Sequence, residues 1–197
     1  MGNATSAGEW DEEYQRGRWD FLRSLPESGR YGIIAMWLQL TGTGRTVLDV
    51  GCGEGLLYKR LAPLNLQSYV GIDLAPHALT LADVRREQAE LRAADMHDFT
   101  PEKGERFSAI VFNEVLHFAS SPSKVVSRYI PFLEPGGVIA VSMYAPSRES
   151  SGANKLIREL WRATDDGALW QVLDDYTLHS HVKNVSWRMR LMKPAKP

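Results

Sequence analysis

The sequence predicts an α/β fold built on a mostly parallel sheet, and three observations carry that expectation. Short β-branched runs alternate with amphipathic stretches from about Gly44 onward. One of those runs leads straight into a glycine-rich turn, Gly51-Cys52-Gly53-Glu54-Gly55. The last two β-rich runs are joined by a link too short for a parallel crossover.

Taken in order, residues 8–40 read as one or two helices broken around Gly17 or Pro26. Trp10, Tyr14, Trp19 and Phe21 make the first stretch strongly aromatic, and residues 33–40 make an apolar second one. They form a helical cap, residues 1–43, ahead of a core at 44–197. Residues 46–50, 69–72, 107–112 and 138–143 are mostly apolar without alternation, the pattern of strands buried on both faces, and 90–94 is a weaker strand. Between them Leu56, Leu57 and Leu61 mark one helix, Leu79, Leu81 and Val84 a second, and Val125, Val126, Tyr129 and Phe132 a third. Such a series builds a parallel sheet through right-handed crossovers, with helices on both faces. A loop with Pro146 and Gly152 then leads to a helix carrying Leu156, Ile157, Leu160 and Trp161. Two further strands, 170–179 and 185–192, follow. Their link, 180–184, makes them antiparallel neighbours.

Composition narrows the function classes. The 197 residues fit one domain and carry 23 Lys plus Arg against 24 Asp plus Glu, so no net field draws the chain to nucleic acid or to an anionic membrane. The single cysteine, Cys52, excludes an internal disulfide and a cysteine-rich zinc site, and no metal centre is expected. No run reaches the ~18 apolar residues of a membrane span, and without a secretory segment the expected address is cytoplasmic. The start Met1-Gly2-Asn3-Ala4-Thr5-Ser6 fits a loose acylation pattern, but Glu9, Asp11, Glu12 and Glu13 would repel an anionic membrane. Nothing in the sequence fixes an oligomeric state.

The chemistry concentrates after the first strand. In Val47-Leu48-Asp49-Val50-Gly51-Cys52-Gly53-Glu54-Gly55 the glycines allow a tight turn and a close ligand approach. Asp73 closes the next strand, where a carboxylate accepts hydrogen bonds from both ribose hydroxyls of a nucleoside. A dinucleotide-type turn would place its third glycine where this chain has Leu56, and an apolar residue where it has Asp49, so nicotinamide cofactors are disfavoured.

At these residues the sequence resembles the class I S-adenosylmethionine-dependent methyltransferases, whose glycine turn has the form Asp-x-Gly-x-Gly-x-Gly. The likeness covers about Gly44 to Met143, and the final antiparallel pair extends it to the end of the chain. It implies a Rossmann-like seven-stranded sheet with its last strand antiparallel, and S-adenosyl-L-methionine as the cofactor. It places Asp49, Gly51 and Gly53 along the methionine part, Asp73 on the ribose and Leu74 against the adenine. Asp95 and Met96 would read the adenine nitrogens, Asn113 with Glu114 would lie beneath the sulfonium, and Tyr14 or Arg30 would meet the cofactor carboxylate. Two of these residues have a second reading: Asp49 as a hydrogen-bond partner of the loop backbone, and Asp95 as a helix cap before residues 96–99.

On the acceptor side, orientation supplies about 7–11 kcal/mol to an in-line displacement, against roughly 3–5 kcal/mol from a general base. His117 is the expected base or acceptor-orienting group, with a pKa near ~6.5, and Glu114 is the next candidate. The rival for His117 is a packed histidine. Trp19, Tyr144, His179 and His181, with the loop 147–151, are expected to line the acceptor pocket, whereas His77 and His97 read as solvated. The rival for the cap aromatics is a hydrophobic lid. Nucleic-acid base modifiers of this family often carry a Pro-Pro-aromatic motif after the fourth strand, and here those residues are Glu114-Val115-Leu116. A small-molecule acceptor, a sugar or secondary metabolite methylated on oxygen or nitrogen, is favoured. The alternatives are a nicotinamide-dependent reductase and a non-catalytic S-adenosylmethionine-binding module.

Overall fold

A computed structural model describes residues 6–85, 87–145 and 152–195. The chain divides into two compact units, Met1–Thr100 and Pro101–Pro197.

In the first unit, helix α1 (Ala7–Gln15) starts at a capping box in which Glu9 N–H donates to Ser6 Oγ and Ser6 N–H to the Glu9 carboxylate. The chain breaks at both expected places: Gly17 takes a positive φ of 68°, and 3-10 turns at Asp20–Arg23 and Leu25–Glu27 precede α2 (Ser28–Leu40). None of residues 6–26 is buried, while α2 buries Tyr31, Ile34, Ala35, Trp37 and Leu38. Strands β1 (Thr46–Val50), β2 (Ser68–Asp73) and β3 (Ala89–Ala93) pair in parallel, with Asp49 opposite Gly71 and Asp73 opposite Ala93. That register aligns their carboxyl ends. The connecting helices are shorter than the sequence pattern implies, α3 spanning Tyr58–Leu61 and α4 Pro76–Thr80. Leu81 and Val84 lie beyond α4, and their spacing from Leu79 does not put them on one helical face.

The second unit holds β4 (Phe107–Asn113), a 3-10 turn at Leu116–Phe118, α5 (Pro122–Arg128), β5 (Leu133–Ala145), α6 (Gly152–Thr164), β6 (Trp170–Ser180) and β7 (Val185–Pro194). β5 begins well before residue 138. Its pairing with β4 jumps from Phe107–Leu133 to Ala109–Val138, so residues 134–137 bulge out of the ladder. As the short link requires, β7 is antiparallel to β6, and it is also antiparallel to β5. A buried Arg190 on β7 joins α6 to the sheet: its guanidinium donates to Thr164 Oγ1 at 2.7 Å and to Asp175 Oδ2 at 2.6 and 2.9 Å, and pairs with Asp165 at 2.8 Å.

The strands run β3-β2-β1 in the first unit and β4-β5-β7-β6 in the second, seven strands among the described residues. This is the mostly parallel, Rossmann-like sheet that the sequence predicts.

Candidate active site

The first unit builds its site at the carboxyl ends of β1 and β2, the location where open α/β sheets take their ligands. Gly51, Gly53 and Gly55 all adopt positive φ, and Gly51 and Cys52 donate their N–H groups to the Ile72 carbonyl at 2.8 and 3.0 Å, so the turn is fastened to the end of β2. At Gly53 the conformational need is joined by a spatial one. A Cβ there would lie 2.7 Å from the Tyr14 hydroxyl, because α1 lays Tyr14 over the turn. Burial, with the Asp73 and Glu54 carboxylates nearby, pushes the Tyr14 hydroxyl well above its ordinary range and keeps it a proton donor.

Asp73 is held by the same turn. Its Oδ2 accepts the Gly53 N–H at 2.8 Å and its Oδ1 the Ala75 N–H at 2.9 Å. Burial raises its carboxyl and these N–H donors oppose the shift. The carboxylate, with about four lone-pair sites, keeps acceptor capacity beyond these bonds. Leu74 follows, half-buried. Asp49 lies within β1, 3% exposed, and its hydrogen-bond partner is the Tyr69 hydroxyl at 2.6 Å, not the loop backbone. Burial pushes its carboxyl up to about 7, against the Tyr69 bond.

Asp95 follows β3, where the Ala94 N–H donates to the Asp73 carbonyl at 2.9 Å. No helix follows it. Residues 96–98 form a turn, and Asp95 Oδ1 accepts the His97 N–H at 2.8 Å and meets His97 Nδ1 at 2.6 Å. Burial raises the Asp95 carboxyl, but the bonds to His97 outweigh it and the net shift is downward. His97 is therefore engaged, contrary to the solvated expectation, and His77 is half-buried, its N–H donating to Asp11 Oδ1 at 2.9 Å. Met96 is half-buried beside Asp95. Arg30 is buried in the first turn of α2 and pairs with Glu27 at 2.8 Å. Trp19 donates its indole N–H to Glu13 at 3.2 Å and packs with Trp10, Tyr14 and Phe21 in one aromatic cluster.

One contact of this unit escapes sequence reasoning. The Arg23 guanidinium forks onto the Glu54 carboxylate at 2.6 and 2.7 Å. The partners are 31 positions apart, and each reads alone as a solvated charge.

In the second unit, Asn113 ends β4 with its Oδ1 buried and without a hydrogen-bond partner among the described residues. Glu114 takes a left-handed φ of 58°, a conformation that costs a bulky residue about 1–2 kcal/mol. Its N–H donates to the Ser142 carbonyl at 2.8 Å, and its Oε2 accepts the Tyr144 N–H at 3.1 Å, so the side chain grips the end of β5. His117 sits on the 3-10 turn against Phe118, with the Tyr144 ring edge-on at 5.6 Å. Its Nδ1 is buried and has no hydrogen-bond partner among the described residues. With no acidic partner to hold a proton, burial lowers its pKa to about 4, a correction to the value near ~6.5 expected of an unperturbed imidazole.

His179 is exposed, paired in register with Ser186, whose hydroxyl lies 2.7 Å from His179 Nδ1. His181 is exposed in the adjoining turn, its ring edge-on to His179. The loop 147–151 lies outside the described residues. Among the described residues no cluster of three or more His, Cys, Asp or Glu side chains is placed to hold a metal, and no helix is long and apolar enough to cross a membrane.

The chain is similar to several known proteins. A ubiquinone biosynthesis O-methyltransferase of Cereibacter sphaeroides is 32% identical over 132 residues, which cover 62% of this chain and 53% of the relative. The chain spans about half the length of the curated relatives it matches. Two solved structures share the fold. The N-methyltransferase NodS from Bradyrhizobium japonicum, in complex with S-adenosyl-L-homocysteine, superimposes with a TM-score of 0.71 at 19% identity over 94% of this chain and 98% of its own. The [4+2]-cyclase SpnF gives 0.72 at 16% identity over 97% of both chains. At such identities the likeness establishes the fold alone. The family described as methyltransferase domain matches residues 48–141. That match runs from the Asp49 strand through the glycine turn and Asp73 into β5, so this stretch of the chain is similar to methyltransferase domains.

Proposed function

We propose that the protein binds S-adenosyl-L-methionine through its first unit and transfers the methyl group to an oxygen or nitrogen of a small metabolite. The observation that carries the reading is Asp73: a half-buried carboxylate at the end of β2, pinned by the Gly53 N–H and with acceptor capacity left for ribose hydroxyls. The residues present fit that cofactor. The turn at Gly53 leaves no Cβ in the way, and the protonated Tyr14 hydroxyl above it is a donor suited to a carboxylate. The relatives named as an O-methyltransferase and as an N-methyltransferase bound to S-adenosyl-L-homocysteine support both the cofactor and the choice of acceptor atoms.

The cofactor supplies an electrophilic methyl group on a sulfonium. Asp73 holds the ribose, Asp95 and Met96 face the adenine, and Asp49 contributes negative charge near the methionine part. In the second unit His117 accepts a hydrogen bond from the acceptor and orients it. A weakly basic imidazole is sufficient for this, because the acceptor proton becomes strongly acidic only as the new bond to carbon forms. Glu114, committed to the Tyr144 N–H, positions that ring and does not act as the base. Both units are read as one methyltransferase domain, since the family match crosses residue 100. The cysteine usage supports a cytoplasmic address.

The second reading is a protein that binds the cofactor without transferring its methyl group. SpnF, described as a cyclase, shows that the fold alone does not select the reaction. Methyl-labelled cofactor incubated with a panel of phenols, amines and sugars separates the two. Label in an acceptor, with equimolar S-adenosyl-L-homocysteine, is the expected result. Bound but unreacted cofactor across the panel would favour the second reading.

A further inference from the structure

We propose that Arg23 and Glu54 form a positioning pair whose ion pair fastens residues 6–26 over the glycine turn and so sets how fast the cofactor leaves. The inference rests on the cofactor reading above. Three observations converge on it.

The first is geometry: Arg23 Nε and Nη2 donate to the two oxygens of Glu54 at 2.6 and 2.7 Å, while Nη1 donates to Asp20 Oδ1 at 2.9 Å. Such a planar fork matches a carboxylate on both oxygens, which makes it directional as well as strong. The second is burial. The Glu54 side chain is 6% exposed and that of Arg23 is 46% exposed, so the pair holds a carboxylate out of water from its solvent side. The third is the segment itself. No residue from 6 to 26 is buried, and the segment meets the rest of its unit through polar and aromatic attachments: Asp11 with the His77 N–H, Tyr14 over Gly53, and Arg23 on Glu54. All three land on the loops and short helix that follow β1 and β2.

A segment whose side chains are at most half-buried opens at low cost, and its attachments decide how often. Opening this one parts the fork and leaves Glu54 buried without its counter-charge until water reaches it, which is an energetic barrier to opening. Tyr14 moves with the segment, so the turn is uncovered in the same step. Because Arg23 is half-exposed, dissolved salt weakens the pair, and the opening rate rises with ionic strength.

The test follows release of S-adenosyl-L-homocysteine by stopped-flow fluorescence, with Trp10 and Trp19 in the segment as reporters. The proteins compared are the parent, Arg23→Met, Glu54→Gln and the double variant. Circular dichroism confirms that each is folded, and Arg23→Lys keeps the charge but loses the fork. Each single variant is expected to release the ligand at least tenfold faster, with a weakened salt dependence. Arg23→Lys should fall in between. The double variant should be no faster than either single one, since a pair acting as a unit is lost only once. Parental release rates in folded single variants, or accelerations that multiply in the double variant, would overturn the pairing. A parent that does not bind the ligand would overturn the cofactor reading and the pair with it. A parent that binds, with variants releasing at its own rate, overturns the pair alone.

Discussion

Burial shifts Asp49 and His117 in opposite directions for one physical reason: a low-dielectric surrounding disfavours the charged form of each. Asp49 is pushed up to about 7 and His117 down to about 4, so at neutrality the imidazole is uncharged and the carboxyl is poised between its two forms. If Asp49 faces the cationic methionine part, affinity for S-adenosylmethionine should rise as pH climbs through about 7, and Asp49→Asn should flatten the rise. Calorimetry across that range checks it, and a flat parental profile would remove Asp49 from the cofactor's electrostatics. The same shifts act on stability. The His117 pKa of about 4 lies below its unfolded value of ~6.5, so the unfolded chain binds more protons in that window and stability is lost as pH falls through it. His117→Leu should remove a contribution on the order of 3 kcal/mol from the acid side of the unfolding curve. Asp49 works with the opposite sign: its raised pKa favours the fold below the ordinary carboxyl range, and that advantage fades as pH rises towards 7. An acid limb of the urea-unfolding curve identical in parent and His117→Leu would mean that the imidazole is not desolvated.

At the scale of elements, the glycine turn and α1 form one construction. Gly53→Ala adds a methyl group 2.7 Å from the Tyr14 hydroxyl and forces a non-glycine residue to φ +51°. A loss of about 1–2 kcal/mol in stability is expected from the backbone alone, together with a tenfold or greater fall in S-adenosyl-L-homocysteine affinity as Tyr14 is displaced. Retained affinity would show that Tyr14 does not cover the bound ligand. The elements most legible in the sequence are β1, β2 and β4, whose mostly apolar residues without alternation read as buried strands. The start of β5 was not legible, since Glu134-Pro135-Gly136-Gly137 carries the residues that end strands, and only the bulge in the pairing with β4 reconciles them. Helix lengths were overestimated where apolar residues near α4 lacked helical spacing. Within the candidate site, the glycines and Asp73 announce themselves through chain-local spacing. Long-range partners do not: nothing near Arg23 names Glu54, and nothing near Asp49 names Tyr69. The pKa of His117 is not legible in the sequence because burial, which sets it, belongs to the packed structure and not to the spacing.

For the molecule as a whole, the strands of the fold are in place while the proposed reaction rests on one carboxylate. Asp73 joins the two levels. It belongs to β2 by register and to the glycine turn by its bond to Gly53, and in the proposed reading its remaining lone pairs take the ligand. Isothermal titration of S-adenosyl-L-homocysteine into the parent protein and Asp73→Ala tests that claim most directly. Each hydrogen bond lost to a charged acceptor costs about 1.5–3 kcal/mol, so the parent should bind one equivalent and the folded variant at least tenfold more weakly. A parent that binds a nicotinamide dinucleotide instead, or an Asp73→Ala variant with parental affinity, would contradict the account.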